Sequence, residues 1–303
     1  MARKDKKSDS SKTENCNAGT LYVVSTPIGN LEDITFRAIR ILKSVGLIAA
    51  ESVKHSKGLC QHYGINTRLT SYHQHNRSVK GPELIRRLKK GLNIALITNA
   101  GTPALSDPGN HLINQALEEN IKVSPIPGPS AIVTALSVSG MKVDRFLFLG
   151  FFSNRAGKRR RELKNLKHEP RTMVFFEAPH RIHALLTDIK EIFGDRNMVL
   201  LRELTKVYEE IKRGSVTSIL EDLNGERSKG EFTLVVAGND KTKNVQEIDI
   251  TTKKKIQKLI KTDRMSVREI AKELSNEEEL PYRTIYKECL SIKKAIASSN
   301  EMV

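Results

Sequence analysis

The feature that most constrains this chain is a join that occurs three times. A short β-rich run meets a loop of Gly, Pro, Ser and Thr, and a stretch of helical period follows. "LYVVS" (21–25) passes through "STPIGN" to Leu31, Ile34, Ala38, Ile41 and Leu42, spaced as one face of a helix that ends near Gly46. "NIALI" (93–97) passes through "TNAGTPALSDPG" to a helix around His111–Glu118, and "IKVSP" passes through "IPGPS" to "AIVTALSVSG". Repetition of strand, loop and helix implies a parallel sheet with right-handed crossovers. In such a sheet the loops leaving the carboxyl ends of the strands converge on one crevice, so the three loops should face one ligand. Gly and Pro set tight turns there and let backbone N–H groups come close to that ligand. None of the loops reads G-x-G-x-x-G or G-x-x-x-x-G-K-[ST], so the ordinary nucleotide fingerprints are absent. "LIAA" (47–50) reads as a further strand, followed by a His-containing loop region.

From Asp144 the alternation restarts: "RFLFLGFF", a basic helix, "RTMVFFEAPHR", a helix near 180–193, "NMVLLRELT", "EEIKRGSV", a helix near 215–224 and "GEFTLVVAG". This second α/β half mixes crossovers with neighbouring strands that pair antiparallel. The expected divisions are a disordered basic tail (1–18), an N-terminal α/β domain (19–140), a second α/β domain (141–238), a polar linker (239–255) and a helical tail (256–303). In the tail, Ser266 and Glu269 have capping-box spacing, and Val267, Ile270, Ala271 and Leu274 share one apolar face. A helix-turn-helix-like RNA-binding pair and a helical cap on the core fit this pattern equally.

Charge narrows the partners. Lys and Arg number 51 against 35 Asp and Glu, a net +16, and such an excess belongs on the surface, where it favours a polyanion. A generally basic surface is the alternative reading. Arg155, Lys158, Arg159, Arg160 and Arg161 cluster in "NRAGKRRRELKNLKHEPR", the density that phosphate contacts need. No apolar run is long enough for a membrane span, and no apolar segment follows the N-terminal lysines, so neither a membrane nor a secretory route is expected. The three scattered cysteines, Cys16, Cys60 and Cys289, suit a reducing cytoplasm and read as plain small side chains. His73 and His75 have no third ligand in view, so no metal site is expected.

"YVVSTPIGNLEDITFRAIRIL", "IAAE", "SYHQHN", "NAGTPALSDPG", "PIPGPSAIVTALSVSG", "DRFLFLGFF", "FFEAPHR", "RELTKVYEEIKRG" and "GEFTLVVAG" occur in this order between about Gly19 and Gly238. In these segments the chain resembles the ribosomal RNA small subunit methyltransferase I family of the tetrapyrrole methylase superfamily, which 2′-O-methylates a cytidine in the decoding region of 16S rRNA. The resemblance implies an α/β fold of two α/β domains, a cofactor cleft between them and a small helical carboxyl-terminal tail. It implies S-adenosyl-L-methionine (SAM) in the cleft, against Pro27, Asn99, Ala100, Gly101, Thr102, Pro103, Asp107, Ser130 and Ala131, with Phe176, Arg202 and Leu204 from the second domain. It implies 16S rRNA in the small ribosomal subunit as partner, met by Lys54 and the basic cluster, and a cytoplasmic location. Whether the chain acts as a homodimer is left open.

The chain departs from the family pattern at Ser25 (family Pro), at Ser52, Val53 and Lys54 (family Asp-Thr-Arg), and at Thr98 and Asn99 (family Ser-Asp). Two carboxylates are thereby lost from cleft loops. A ribose hydroxyl needs help to lose its proton, and Glu177 and His180 follow a strand end from which either could supply it, with Arg181 beside them for a phosphate. Arg202 and Glu203 alternatively form a structural pair. Two other readings stand beside rRNA methylation: a methylase of a small tetrapyrrole-like substrate, and a non-catalytic RNA-binding or ribosome-assembly relative.

Overall fold

A computed structural model describes residues 18–223, 229–239, 248–262, 265–278 and 282–300. The basic tail up to residue 17, with Cys16, and the stretch 240–247 of the linker lie outside these residues.

β1 (Leu21–Val24), β2 (Leu47–Ala50), β3 (Leu69–Ser71), β4 (Ile94–Ile97) and β5 (Val123–Ile126) form a parallel sheet in the order β3-β2-β4-β1-β5. Its helices are α1 (Phe36–Ser44), α2 (Val53–His62), α3 (Arg77–Lys89), α4 (Asn110–Glu118) and α5 (Ala131–Ser139). The strands "LIAA" and "IALI" are apolar at every position because both faces are covered. Alternate residues divide between the faces. Ile48, Ala50, Ala95 and Ile97 pack with Ala38 and Leu42 of α1 and Leu59 of α2. Leu47, Ala49, Ile94 and Leu96 pack with Leu84 and Leu88 of α3 and Leu112 of α4.

The His-containing region expected as loop is helix α2. Only Leu59 and Cys60 of its apolar residues are buried, so its period is faint in sequence. Its start is set by Ser52, whose hydroxyl accepts the His55 N–H at 3.3 Å. The family's Asp at this position could cap in the same way, so the Ser52 departure keeps the helix start.

The second sheet contains β6 (Phe146–Phe151), β7 (Thr172–Glu177), β8 (Asn197–Arg202), β9 (Glu210–Ser215) and β10 (Phe232–Val236), in the order β6-β7-β10-β8-β9. β6 and β7 are parallel and the other pairs antiparallel, the mixture expected from sequence. α6 (Ala156–Asn165), α7 (Ile182–Phe193) and α8 (Val216–Asp222) contribute to the cluster on one face. On the other face Val174, Val199, Leu201 and Val235 pack with Ile132, Ala135 and Leu136 of α5 and with Ile28, which fastens the two sheets together.

Residues 239–303 form a second compact unit with α9 (Ile250–Thr262), α10 (Val267–Glu277) and α11 (Tyr282–Asn300). The expected capping box is present at Ser266 and Glu269. Ile248, Ile256, Ile270, Ala271, Leu274, Ile285 and Cys289 make this unit's own core. The expected linker is helical from Ile250: Asp249 accepts the Thr252 N–H at 2.7 Å, and Thr252 and Ile256 turn inward while Lys253, Lys254 and Lys255 stay exposed. Among the described residues no helix is long and apolar enough to cross a membrane.

Candidate functional site

β4, β1 and β5 are adjacent, so the strand order sets the three Gly/Pro loops side by side, and β2, next to β4, adds Glu51. These loops and the facing end of the second sheet enclose a cavity of about 420 Å³. Asn99, Ala100, Gly101, Thr102 and Asp107 line it from the β4 loop, and Ser130 and Ala131 from the start of α5. Phe151, Phe176, Glu177, Leu204, Phe232 and Thr233 line it from the second sheet. The register explains their convergence, because Phe232 lies opposite both Glu177 and Arg202 in the ladder.

The loops are tied to each other. Thr26 and Gly101 exchange two backbone hydrogen bonds, at 2.9 and 3.0 Å. The Thr26 hydroxyl donates to the Thr98 carbonyl at 3.2 Å, and the hydroxyls of Ser25 and Thr102 meet at 2.8 Å. Ser25, where the family has Pro, therefore gains a bond across the loops. Gly101 has φ +72°, and a Cβ there would meet only Ile28, at 3.5 Å. Among the described residues, four of the five non-glycine residues with positive φ lie in two loops at the site: Ala104 and Ser106 after β4, Glu203 and Thr205 after β8. Strain concentrated in this way is a mark of functional loops.

The cavity wall is acidic. Glu51, Asp107 and Glu231 all face it. Burial, reinforced by the charges of Glu51 and Glu231, pushes the Asp107 carboxyl up to about 6. Glu51 also accepts the Asn99 N–H at 3.1 Å, and Asn99 Oδ1 is buried with no hydrogen-bond partner. With Ser52 and Asn99 in place of the family's two Asp residues, the carboxylates that line the cavity are Glu51, Asp107, Glu177 and Glu231. Glu51 closes the segment "IAAE" and Glu231 lies in "GEFTLVVAG", each just outside a strand, and the strand order shows that both face the cavity.

Several nominated residues lie elsewhere. Pro27 lines a second cavity, of about 500 Å³, that adjoins the first and shares Ile28, Asn99, Ala100 and Glu231 with it. Pro103 is buried and lines neither cavity. Arg202 does not line either cavity, because its Nε donates to the Lys229 carbonyl at 2.7 Å and its Nη1 lies 3.5 Å from Glu210. The expected Arg202–Glu203 pair is also absent; Glu203 pairs instead with Lys206 at 2.8 Å.

The expected catalytic trio is rearranged too. Glu177 is buried, with its carboxylate against the Arg181 guanidinium at 2.9 and 3.0 Å and accepting the Ala178 N–H at 2.8 Å. Arg181 also donates to the Phe152 carbonyl at 2.6 Å. Glu177 and Arg181 are thus committed to each other and to the backbone rather than turned to a substrate. His180 is exposed and lines neither cavity. The rings of His73 and His75 are tilted by 60° with centroids 5.9 Å apart, and among the described residues no group of three or more His, Cys, Asp or Glu could hold a metal ion.

The basic helix α6 divides between inside and outside. Arg155, Lys158, Arg160 and Arg161 are exposed. Arg159 is 5% exposed and donates to Asp188 of α7 at 2.7 Å, which contradicts its expected place on an RNA-facing surface. It lies one turn from buried Leu163, so its side chain falls on the inward face of the helix. Arg160 pairs with Glu191 and also approaches Asp188 at 3.4 Å. Lys54 is exposed on α2.

Two α/β sheets with a loop-walled cavity between them define the class: residues 20–220 match the family model described as Tetrapyrrole (Corrin/Porphyrin) Methylases. The uroporphyrin-III-C-methyltransferase of Thermus thermophilus shares this fold, with a TM-score of 0.54 at 19% identity, covering 72% of this chain and 94% of its own. Among proteins of known sequence, the ribosomal RNA small subunit methyltransferase I of Halalkalibacterium halodurans is 46% identical over 230 residues, 76% of this chain and 80% of its own. That of Bacillus subtilis is 41% identical over 276 residues, 88% of this chain and 93% of its own, an alignment too long to stop before the helical unit. The chain belongs to the ribosomal RNA small subunit methyltransferase I family. It is a methyltransferase.

Proposed function

We propose that this protein transfers a methyl group from SAM to the 2′-hydroxyl of a cytidine in the decoding region of 16S rRNA, acting in the cytoplasm on the small ribosomal subunit. The observation that carries this reading is the acidic, loop-walled cavity, supported by the names of the relatives. Its residues fit the donor. Glu51, Asp107 and Glu231 suit a molecule bearing sulfonium and ammonium charges, Phe176, Leu204 and Phe232 suit an adenine ring, and Asn99 Oδ1 lacks a partner that a ligand can provide.

When bound, SAM supplies an electrophilic methyl group on sulfur. The chain's task is to align the acceptor oxygen behind that methyl and to exclude water. The paired loops of Thr26 and Gly101 hold the wall against which the two reactants are aligned. The hydroxyl proton goes to Glu51 or Asp107, the cavity carboxylates that stand in no ion pair among the described residues, whereas Glu231 is held by Lys206 at 3.1 Å. Glu177 is committed to Arg181 and the Ala178 N–H and serves as a positioning residue for the turn after β7.

Calorimetric titration with SAM, followed by labelled methyl transfer to small ribosomal subunits that lack the modification, tests the proposal. Saturable SAM binding and incorporation of about one methyl per subunit are expected. No SAM binding would instead support the non-catalytic relative. Methylation of a free tetrapyrrole and not of the subunit would support the small-substrate reading.

A further inference from the structure

The second cavity adjoins the donor cavity, and its wall is built like a binding site of its own. His55, Gly58, Leu59 and His62 line it at spacings of three and four, one continuous face of α2, and Ser56 lies beside them. Pro27, Gly29 and Leu31 form the opposite side. That side is fixed in place. Tyr63 donates to the Leu31 carbonyl at 2.6 Å, and the Asn30 N–H donates to the Thr205 hydroxyl at 3.0 Å.

Three observations point to a ligand. The Ser56 side chain is 2% exposed, yet its hydroxyl has no hydrogen-bond partner, and buried hydroxyls are rarely left so. Gly58 presents bare backbone: a Cβ there would meet no atom within 4 Å, so the helix leaves room for a flat ring. The charge also differs from that of the donor cavity. Exposed Lys54, His55, Lys57 and His62 stand on α2, and the one carboxylate in this wall, Glu231, is paired with Lys206 at 3.1 Å. A partly apolar slot with an unanswered hydroxyl, on a helix that carries exposed lysines outside the cavity lining, suits a nucleobase whose flanking phosphates meet those lysines. The wall it shares with the donor cavity, through Ile28, Asn99 and Ala100, brings the two ligands to one place.

We propose that the cavity between α2 and the loop after β1 receives the acceptor nucleotide of an RNA strand, with the Ser56 hydroxyl bonding the base, His55 and His62 flanking it, and Lys54 and Lys57 meeting adjacent phosphates. This rests on the methyl-transfer reading above and assigns the substrate half of that site. Ser56, His55 and His62 are then substrate-contacting residues, and Gly58 is a position where size decides entry.

Gly58→Phe fills the slot from an exposed helical position without touching the donor cavity. It is expected to lower kcat/KM for the small subunit by about 100-fold or more while SAM affinity stays within about twofold. Ser56→Ala, which removes only the hydroxyl, is expected to lower kcat/KM about tenfold with unchanged melting. Gly58→Ala is the folding control and should melt no lower than wild type, because Ala is the better helix former. Full activity of a folded Gly58→Phe protein overturns the proposal, and so does loss of its SAM affinity, which would give the slot to the donor.

If wild-type protein transfers no methyl to ribosomal RNA, the functional reading fails, and binding of a short fluorescent cytidine-containing oligoribonucleotide decides the cavity alone. Weaker binding by Gly58→Phe supports the assignment; equal binding overturns it. Displacement of the oligomer by cytidine 5′-monophosphate at equal concentration would identify a mononucleotide site and overturn the RNA assignment.

Discussion

Replacing Asp107 with Asn should stabilise the protein at high pH and leave it unchanged at low pH. Asp107 is partly buried beside Glu51 and Glu231, and its carboxyl is raised from 3.8 to about 6. A folded-state value above the unfolded one means that the native protein holds the proton more tightly than the unfolded chain does. Stability is therefore lost as pH rises from about 4 through 6, and the deficit persists above that. A shift of about two units corresponds to about 3 kcal/mol, and because the carboxyl is not fully buried, solvent screening reduces this to about 1–2 kcal/mol. Asn keeps the shape and removes the charge. For a unit of this size the gain is about 2–8 °C in melting temperature at pH 8 and close to zero at pH 4. Melting followed by circular dichroism at the two pH values measures the difference directly. An equal effect at both, or destabilisation at pH 8, would refute the burial argument. The same ionised carboxylate should favour a cationic donor, so wild-type SAM affinity should fall several-fold from pH 7 to pH 5, and the Asn variant should lose most of that dependence.

Arg159→Gln should cost about 1–3 kcal/mol, because buried Asp188 loses its 2.7 Å partner and keeps only the 3.4 Å approach of Arg160, whereas Arg155→Gln with Arg161→Gln should leave melting unchanged and flatten the salt dependence of RNA binding; the reverse pattern would contradict the division of α6. Gly101→Val forces a β-branched side chain into a left-handed backbone at about 1–2 kcal/mol and into the donor cavity, so calorimetry should show SAM binding lost in a protein that still folds. Every residue lining either cavity lies between Thr26 and Thr233, so a chain ending at Asn239 should bind SAM normally. If the helical unit holds RNA, that chain should show a raised KM for the ribosomal subunit at nearly constant kcat.

How much of this was legible in the sequence depended on whether the signal was local. The three loops announced themselves because Gly and Pro report backbone shape, and Gly101 does carry the positive φ that a glycine permits. The strand order that sets them side by side is a long-range property, and it also decides that Glu51 and Glu231 face the cavity. α2 was hidden because its cavity face is His, Gly, Leu and His, an apolar period too weak to read as a helix. Arg159 reads as a surface residue in sequence because a run of four cations looks uniform; its spacing of four from Leu163 is the available clue. Glu177 looked like a base in "FFEAPHR", but its partner Arg181, also four residues on, was the sign of a pair.

The most direct measurement is mass spectrometry of 16S rRNA fragments from a strain lacking this gene, before and after treatment of its small subunits with the purified protein and SAM. One added methyl on the ribose of a single cytidine in the decoding region is the predicted result. A methyl on a base, a methyl on the large-subunit RNA, or no added mass would contradict the proposed reaction.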